Sequence, residues 1–181
     1  MSIAWIVFRA SILTPWLGYL CWSDAKHRRL PNVLTLCGLL VGLCVQAGFG
    51  GMAGFWDGFA ASGVCALFLL IPFLIRAAGA GDLKMLAACG AFVGLRETPF
   101  LLMAVSFAGL FVAVPMLILR KVTAARLKHV FRCLFDWRYD RADGRAAIPP
   151  KTDERVRVPF GIAIALGTWA TLIMEVMLLC R

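Results

Sequence analysis

Apolar residues in this chain come in long runs with polar residues gathered between them, a pattern that predicts helices over 3–22, 33–49, 55–75, 83–95, 99–119 and 159–179. Runs of roughly twenty residues, rising about 1.5 Å each, match the ~30 Å hydrocarbon core of a bilayer. No run alternates with the period of two that a half-buried strand requires. The expected fold class is therefore all-α: a polytopic membrane protein with about six transmembrane helices, forming one membrane-embedded domain over 1–181. The connections are unequal. They read "DAKHRRLPN", the uncharged "AGFGGMAG", "RAAGAGDLK", the brief "LRETP", and a long polar segment over 120–158.

Composition agrees with the pattern. Apolar residues make up 61% of the chain and charged ones 16%, with a mean hydropathy of +0.84, beyond what a soluble domain carries. Charge adds an orientation, because loops rich in Lys and Arg stay on the cytoplasmic side. Lys26, Arg28 and Arg29 mark the first loop, Arg76 and Lys84 the third, and Arg120, Lys121, Arg126, Lys128 and Arg132 begin the fifth. The second loop has no basic residue and the fourth only Arg96. Odd loops are thus expected to face the cytoplasm, with both termini outside a plasma (inner) membrane crossed several times. The net charge of +9 is then topological. It makes anionic lipid headgroups a partner, at about 1 kcal/mol per basic residue near the surface, and nucleic acid is not expected. No basic residue precedes the first apolar run and no small-residue cleavage site closes it, so a signal peptide is not expected either.

The seven cysteines form no C-x-x-C pair and read as small packing residues inside helices. No H-E-x-x-H, Walker or haem signature is present, and no metal or cofactor is expected. The two histidines, His27 and His129, sit in basic segments without a matching serine or cysteine motif.

Against this background two acids stand out. Asp24 directly follows the first predicted span and Asp82 begins the fourth, on the same cytoplasmic side. The fourth span is short: residues 83–95 reach only about 20 Å, which draws Asp82 below the headgroups. Gly79 and Gly81 precede it, and glycine tolerates positive φ and close approach of backbone or ligand. "GAGD" therefore reads either as a helix break lining a polar pocket or as an ordinary N-cap. Lys84 opposes the macrodipole of the helix it starts, so snorkelling, partial neutralisation of Asp82 or contact with a substrate carbonyl must favour it. Two carboxylates brought together in a partly dehydrated site share one proton and titrate as a unit. That is the chemistry of an aspartyl protease, in which the ionised member activates water and the protonated one donates to the scissile carbonyl.

At these residues the chain resembles the type IV prepilin (prepilin-like leader) peptidases, membrane aspartyl proteases with a G-x-G-D signature. The resemblance rests on "SDAKHRRLPNVLT" at 23–35, "GAGDLKML" at 79–86 and "VPFGIAIALG" at 158–167. It implies that Asp24 and Asp82 are the catalytic pair, with Gly79, Gly81, Lys84, Pro31 and Asn32 shaping the site. It further implies a pilin or pilin-like precursor as substrate, its short leader cut after a glycine on the cytoplasmic face. Larger members also methylate the new N-terminus and carry a cysteine-rich insertion in an early loop. Here that loop is "DAKHRRLPN" without cysteine, so methyltransferase activity is not expected, and the chain is similar to the compact branch serving tight-adherence (Flp-type) pili or archaeal preflagellins.

The remaining features have structural readings. Pro31-Asn32 fits a helix start, proline at the turn and asparagine as cap. Arg9 and Glu175, in the first and last spans, either pair across helices or snorkel to the outer interface. Asp57 is expected at the outer interface, and Pro72 and Pro115 are expected kink points. In "RLKHVFRCLFDW", Leu127, Val130, Phe131, Leu134 and Phe135 share a face opposite Lys128, His129 and Arg132, as in a basic amphipathic helix lying on the inner leaflet. Pilus assembly proteins are an alternative partner for it. The following 140–159 has linker composition. A different function class also fits the acids: a small ion or proton transporter, which needs polar groups strung from face to face. Beyond Asp24 and Asp82 only Gln46, Arg9 and Glu175 offer themselves.

Overall fold

A computed structural model of the 181-residue chain describes residues 3–27, 31–74, 78–118 and 160–180. The described residues are all-helical, without a strand: α1 (Ile3–His27), α2 (Asn32–Leu74), α3 (Ala80–Val93), α4 (Thr98–Ile118) and α5 (Phe160–Leu179). The chain divides into two compact units, Met1–Leu110 with Pro159–Arg181, and Phe111–Val158. The second is described only over 111–118, so the expected amphipathic helix over 127–135 and the linker lie outside the described residues.

Two expected helices, 33–49 and 55–75, are the two arms of α2. The non-helical point inside it is Gly51, at φ 60° and ψ −147°, a conformation open essentially to glycine alone. There the chain doubles back: a Cβ on Gly54 would stand 2.3 Å from the Gln46 carbonyl oxygen, and Gly58 lies against the Gln46 side chain. Elsewhere the boundaries move by a few residues. α1 continues past Trp22 to His27, because "SDAKH" contains neither glycine nor proline to stop it. Asp24 therefore sits inside a helix rather than after one. α3 begins three residues earlier than expected and takes Gly81 and Asp82 into its first turn. Pro72 falls two residues before the end of α2.

α3 is the core of the larger unit, with every residue from Met85 to Val93 buried. Both arms of α2 approach it through small residues. A Cβ on Gly58 would come 3.0 Å from the Ala91 carbonyl oxygen, and one on Gly90 would come 2.9 Å from that of Ala61. Such close contact is how helices gain dispersion energy where the surroundings are themselves apolar. Leu13, Leu17 and Leu20 of α1, Leu101 and Val105 of α4 and Ile164 and Leu172 of α5 complete the cluster. The opposite pattern holds outside, where Leu67, Ile71 and Leu74 are 64%, 66% and 70% exposed. A soluble surface rarely shows so much contiguous hydrocarbon. α2 and α5 are long and apolar enough to cross a membrane, and Thr98–Val112 is a shorter apolar stretch.

One charge is fully inside. Arg9 has no exposed surface; its Nη1 donates to the carbonyl oxygens of Phe92 (3.0 Å) and Val93 (3.1 Å), and its Nη2 pairs with Glu175 Oε1. Its guanidinium carbon also lies 4.9 Å from the Trp5 ring centroid. Of the two readings open for Arg9 and Glu175, pairing is the one observed. Gln46 Nε2 donates to the same Phe92 carbonyl at 3.3 Å. Asp57 does more than sit at an interface: its Oδ2 accepts from Leu95 N at 3.1 Å, closing the turn after α3 beside Gly94, whose φ is 89°. Removing one partner from such a buried pair strands the other charge, at a cost of about 3–5 kcal/mol. Glu175→Met and Arg9→Met should therefore each lower the thermal midpoint in detergent markedly, and Arg9→Met/Glu175→Met should lower it by less than the sum of the two single losses. Additive losses would contradict the pairing.

Candidate active site

Arg9 also determines which helix ends lie together. It stands near the start of α1 yet contacts the last turn of α3 and the far part of α5, so α1 runs antiparallel to both. The end of α1 consequently shares one end of the bundle with the starts of α3 and α5. At about 1.5 Å per residue, Asp24 lies about 22 Å along α1 from Arg9, Gly161 about 21 Å along α5 from Glu175, and Asp82 about 15 Å along α3 from Phe92. Asp24 is tied to the first turn of α5, and Asp82 stands in the first turn of α3.

Each carboxylate accepts a backbone N–H. Asp82 is the third residue of α3, and its Oδ2 reaches back to Gly79 N at 3.1 Å. This satisfies one of the donors a helix start leaves unpaired; the N-cap is Gly79 and Asp82 the third helical residue, so Asp82 caps from inside the helix and is not the N-cap itself. Gly79 itself has φ −86°; neither it nor Gly81 is among the positive-φ glycines, which are Gly51 and Gly94 among the described residues. Of the two freedoms glycine offers there, positive φ is not the one used. Close approach explains Gly79 instead, since a Cβ there would stand 3.2 Å from Asp82 Oδ2.

Asp24 is 8% exposed, and its Oδ2 accepts from Gly161 N at 3.1 Å in the first turn of α5. Cys21, one turn earlier on α1, directs its Sγ to the Gly161 carbonyl oxygen at 3.7 Å. Sequence reasoning quoted the segment holding Gly161 but assigned that residue no role. The contact joins positions 137 apart, and nothing local announces it.

Asn32 and Lys84 meet, with Lys84 Nζ donating to Asn32 Oδ1 at 2.9 Å. That contact favours a cation in the first turn of α3. Asn32 is the first residue of α2 with its side-chain oxygen turned to Lys84, while the Pro31 carbonyl oxygen accepts from Leu34 N (3.1 Å) and Thr35 N (3.2 Å). The start of α2 therefore rests on the Pro31 carbonyl, with Asn32 bridging to α3. Chemically, the start of α3 carries a carboxylate held by the Gly79 N–H beside an ammonium group bonded to the Asn32 amide, and the end of α1 carries a second carboxylate held by the first-turn N–H of α5.

The model of the type IV leader peptidase family matches residues 11–114, a stretch that contains Asp24, Asn32, Asp82 and Lys84. The chain belongs to that family. It is 32% identical over 123 residues to a prepilin leader peptidase/N-methyltransferase of Neisseria gonorrhoeae, covering 62% of this chain and 42% of that protein. It is 33% identical over 129 residues to the protein of the same name from Aeromonas hydrophila, covering 66% and 43%. The chain thus aligns with less than half the length of these relatives. No solved structure matches it. Family membership and two helices able to cross a bilayer make this leader peptidase relative a membrane protein.

The bridge between Asn32 and Lys84 can be tested directly. A hydrogen bond to a charged donor at a part-exposed position contributes about 1 kcal/mol. A double-mutant cycle of Asn32→Ala and Lys84→Met, read by thermal unfolding, should show coupling of about that size; strict additivity would mean the two side chains do not depend on each other.

Proposed function

We propose that this protein is a membrane aspartyl endopeptidase that removes the short leader from type IV pilin-like precursors, using Asp24 and Asp82. The observation that carries the reading is membership of the leader peptidase family over a stretch that holds both aspartates, supported by the backbone N–H that each carboxylate accepts at a helix start. One carboxylate, ionised, takes a proton from water; the other, protonated, donates to the scissile carbonyl oxygen, and the tetrahedral intermediate collapses to amine and acid. Neither step needs a cofactor. The printed name of both relatives also includes N-methyltransferase; our proposal for this chain takes the peptidase activity only, because its first loop lacks the cysteine-rich insertion.

The membrane reading is a single domain with six crossings, the arms of α2 counting separately. Two aromatic clusters support it: Trp5, Phe8 and Phe49 at one level and Tyr19 and Trp22 at the other, centred about 21 Å apart along α1 and suited to the two interfaces. Lys26, 4.9 Å from the Trp22 ring centroid, continues on the level of Asp24. The sequence adds Arg28 and Arg29 shortly after Lys26, which supports cleavage on the cytoplasmic face with anionic headgroups beside the site and the termini outside. The substrate is then a precursor cut after glycine, and pilus assembly proteins are partners for the 120–158 segment. A proton-relay function is less well supported, because Leu13, Leu17 and Met85, all fully buried or nearly so, separate the aspartates from the Arg9 network.

The test is cleavage of a tagged pilin-like precursor by the native chain, Asp24→Asn and Asp82→Asn in detergent, with the cut located by mass spectrometry. Loss of an acid or base costs about 10²–10⁴-fold, so each variant should lose at least about a hundredfold in rate while keeping its thermal midpoint within a few degrees. Cleavage by both variants at the native rate would eliminate the two-aspartate mechanism.

A further inference from the structure

We propose that Gly161 is a positioning residue for Asp24, its missing side chain being the space the carboxylate occupies. The inference rests on the peptidase reading above for its catalytic consequence, but its geometry stands independently. Gly161 is the second residue of α5, and its N–H belongs to the first turn, where helices have no internal acceptor. Asp24 Oδ2 supplies that acceptor at 3.1 Å in a buried contact. The carbonyl of the same glycine is engaged by Cys21 Sγ at 3.7 Å. Two side chains one turn apart on α1 thus hold both polar groups of one residue on α5.

The residue type follows from the space. Gly161 is not among the positive-φ glycines, so backbone freedom does not require it. A Cβ there would stand 2.8 Å from Asp24 Oδ2, 3.3 Å from Cγ and 3.4 Å from Cβ. Any side chain at 161 enters the volume of the carboxylate, and the carboxylate, at the end of two rotatable bonds, is the part that yields. It would leave the N–H that orients it and turn into another rotamer. A displacement of about 1 Å in a reacting group costs on the order of 10²-fold in rate. Gly161 therefore acts through Asp24 and touches no reacting atom itself.

Gly161→Ala should accordingly lower kcat about 10- to 100-fold with KM for the precursor within about twofold, since leader binding is not what moves. Gly167→Ala serves as the packing control on the same helix. Its Cβ would meet Val105 Cγ2 at 2.5 Å and the Val105 backbone nitrogen at 2.7 Å, far from Asp24. It should lower the thermal midpoint yet leave kcat per folded molecule unchanged. Native kcat in Gly161→Ala, or a loss that merely tracks its folded fraction as in Gly167→Ala, would overturn the proposal. A second readout needs no turnover and separates failure here from failure of the peptidase reading. Gly161→Ala should lower the thermal midpoint in the native background and leave it unchanged in an Asp24→Ala background, where no carboxylate is left to displace. Equal losses in both backgrounds would show that the methyl group and the carboxylate do not meet, whatever the enzyme cleaves.

Discussion

The hydrogen bonds from Arg9 to the last carbonyls of α3 are the contact on which the rest of the arrangement depends. α3 has 14 residues, and every one from Met85 to Val93 is buried. The C=O groups at its buried end must then be satisfied inside the protein. At the C-terminal end Arg9 donates to the Phe92 and Val93 carbonyls, Gln46 adds a donor to Phe92, and Asp57 takes the N–H of Leu95. A cation at that end also complements the macrodipole. At the N-terminal end Asp82 takes the Gly79 N–H. Most of these polar side chains in an otherwise apolar core bond the ends of α3 and the turn after it.

Charge balance follows from the same contact. A guanidinium without exposure requires a counter-charge, and Glu175 on α5 provides it. Arg9 Nε and Glu175 Oε2 make no further hydrogen bond, so the pair is not saturated, and the Trp5 ring beside the guanidinium offsets part of that cost. The outcome is that α1, α3 and α5 are fixed to one another at the end remote from the aspartates. Small residues then let α2 close around α3. A Cβ on Gly58 would meet the Ala91 carbonyl oxygen and the Gln46 side chain, and one on Gly90 would meet Cys65 Sγ and the Ala61 carbonyl oxygen, so growth at either position meets main chain as well as side chain.

How much of this was readable in the sequence depended on the range of the interaction involved. The helices were readable because apolar runs carry their own length signal, and even the double-back at Gly51 lay between two runs separated in advance. The residues "GAGD" and "PN" were readable as punctuation, but their conformations were not. Glycine permits positive φ without requiring it, and only the neighbouring Asp82 carboxylate shows that Gly79 serves close approach. Contacts across the chain carried no local signal at all. Lys84 looked misplaced in a first turn until Asn32, 52 residues away, supplied its partner. Arg9 and Glu175 offered two readings of equal standing, because pairing across 166 residues is a property of the packed bundle. The cysteines read as packing residues, which fits Cys65 and Cys89 in the core; Cys21 holds a carbonyl as well.

The two ends of the bundle therefore have different tasks, linked by helix rigidity. The Arg9 end is closed and neutralised, and it fixes the axial register of α1, α3 and α5. The other end presents one carboxylate from α1, one from α3 and the first-turn N–H of α5. A one-residue slip of α3 against α1 would move Asp82 by about 1.5 Å relative to Asp24, and a slip of α5 would withdraw the donor that orients Asp24. A loop-borne pair of acids would need local bonds to resist such shifts. Here the Arg9 contacts fix α1, α3 and α5 at one end and the Gly161 contacts of Asp24 and Cys21 fix α1 to α5 at the other, so an ion pair about 22 Å along α1 from Asp24 and local bonds together hold its position.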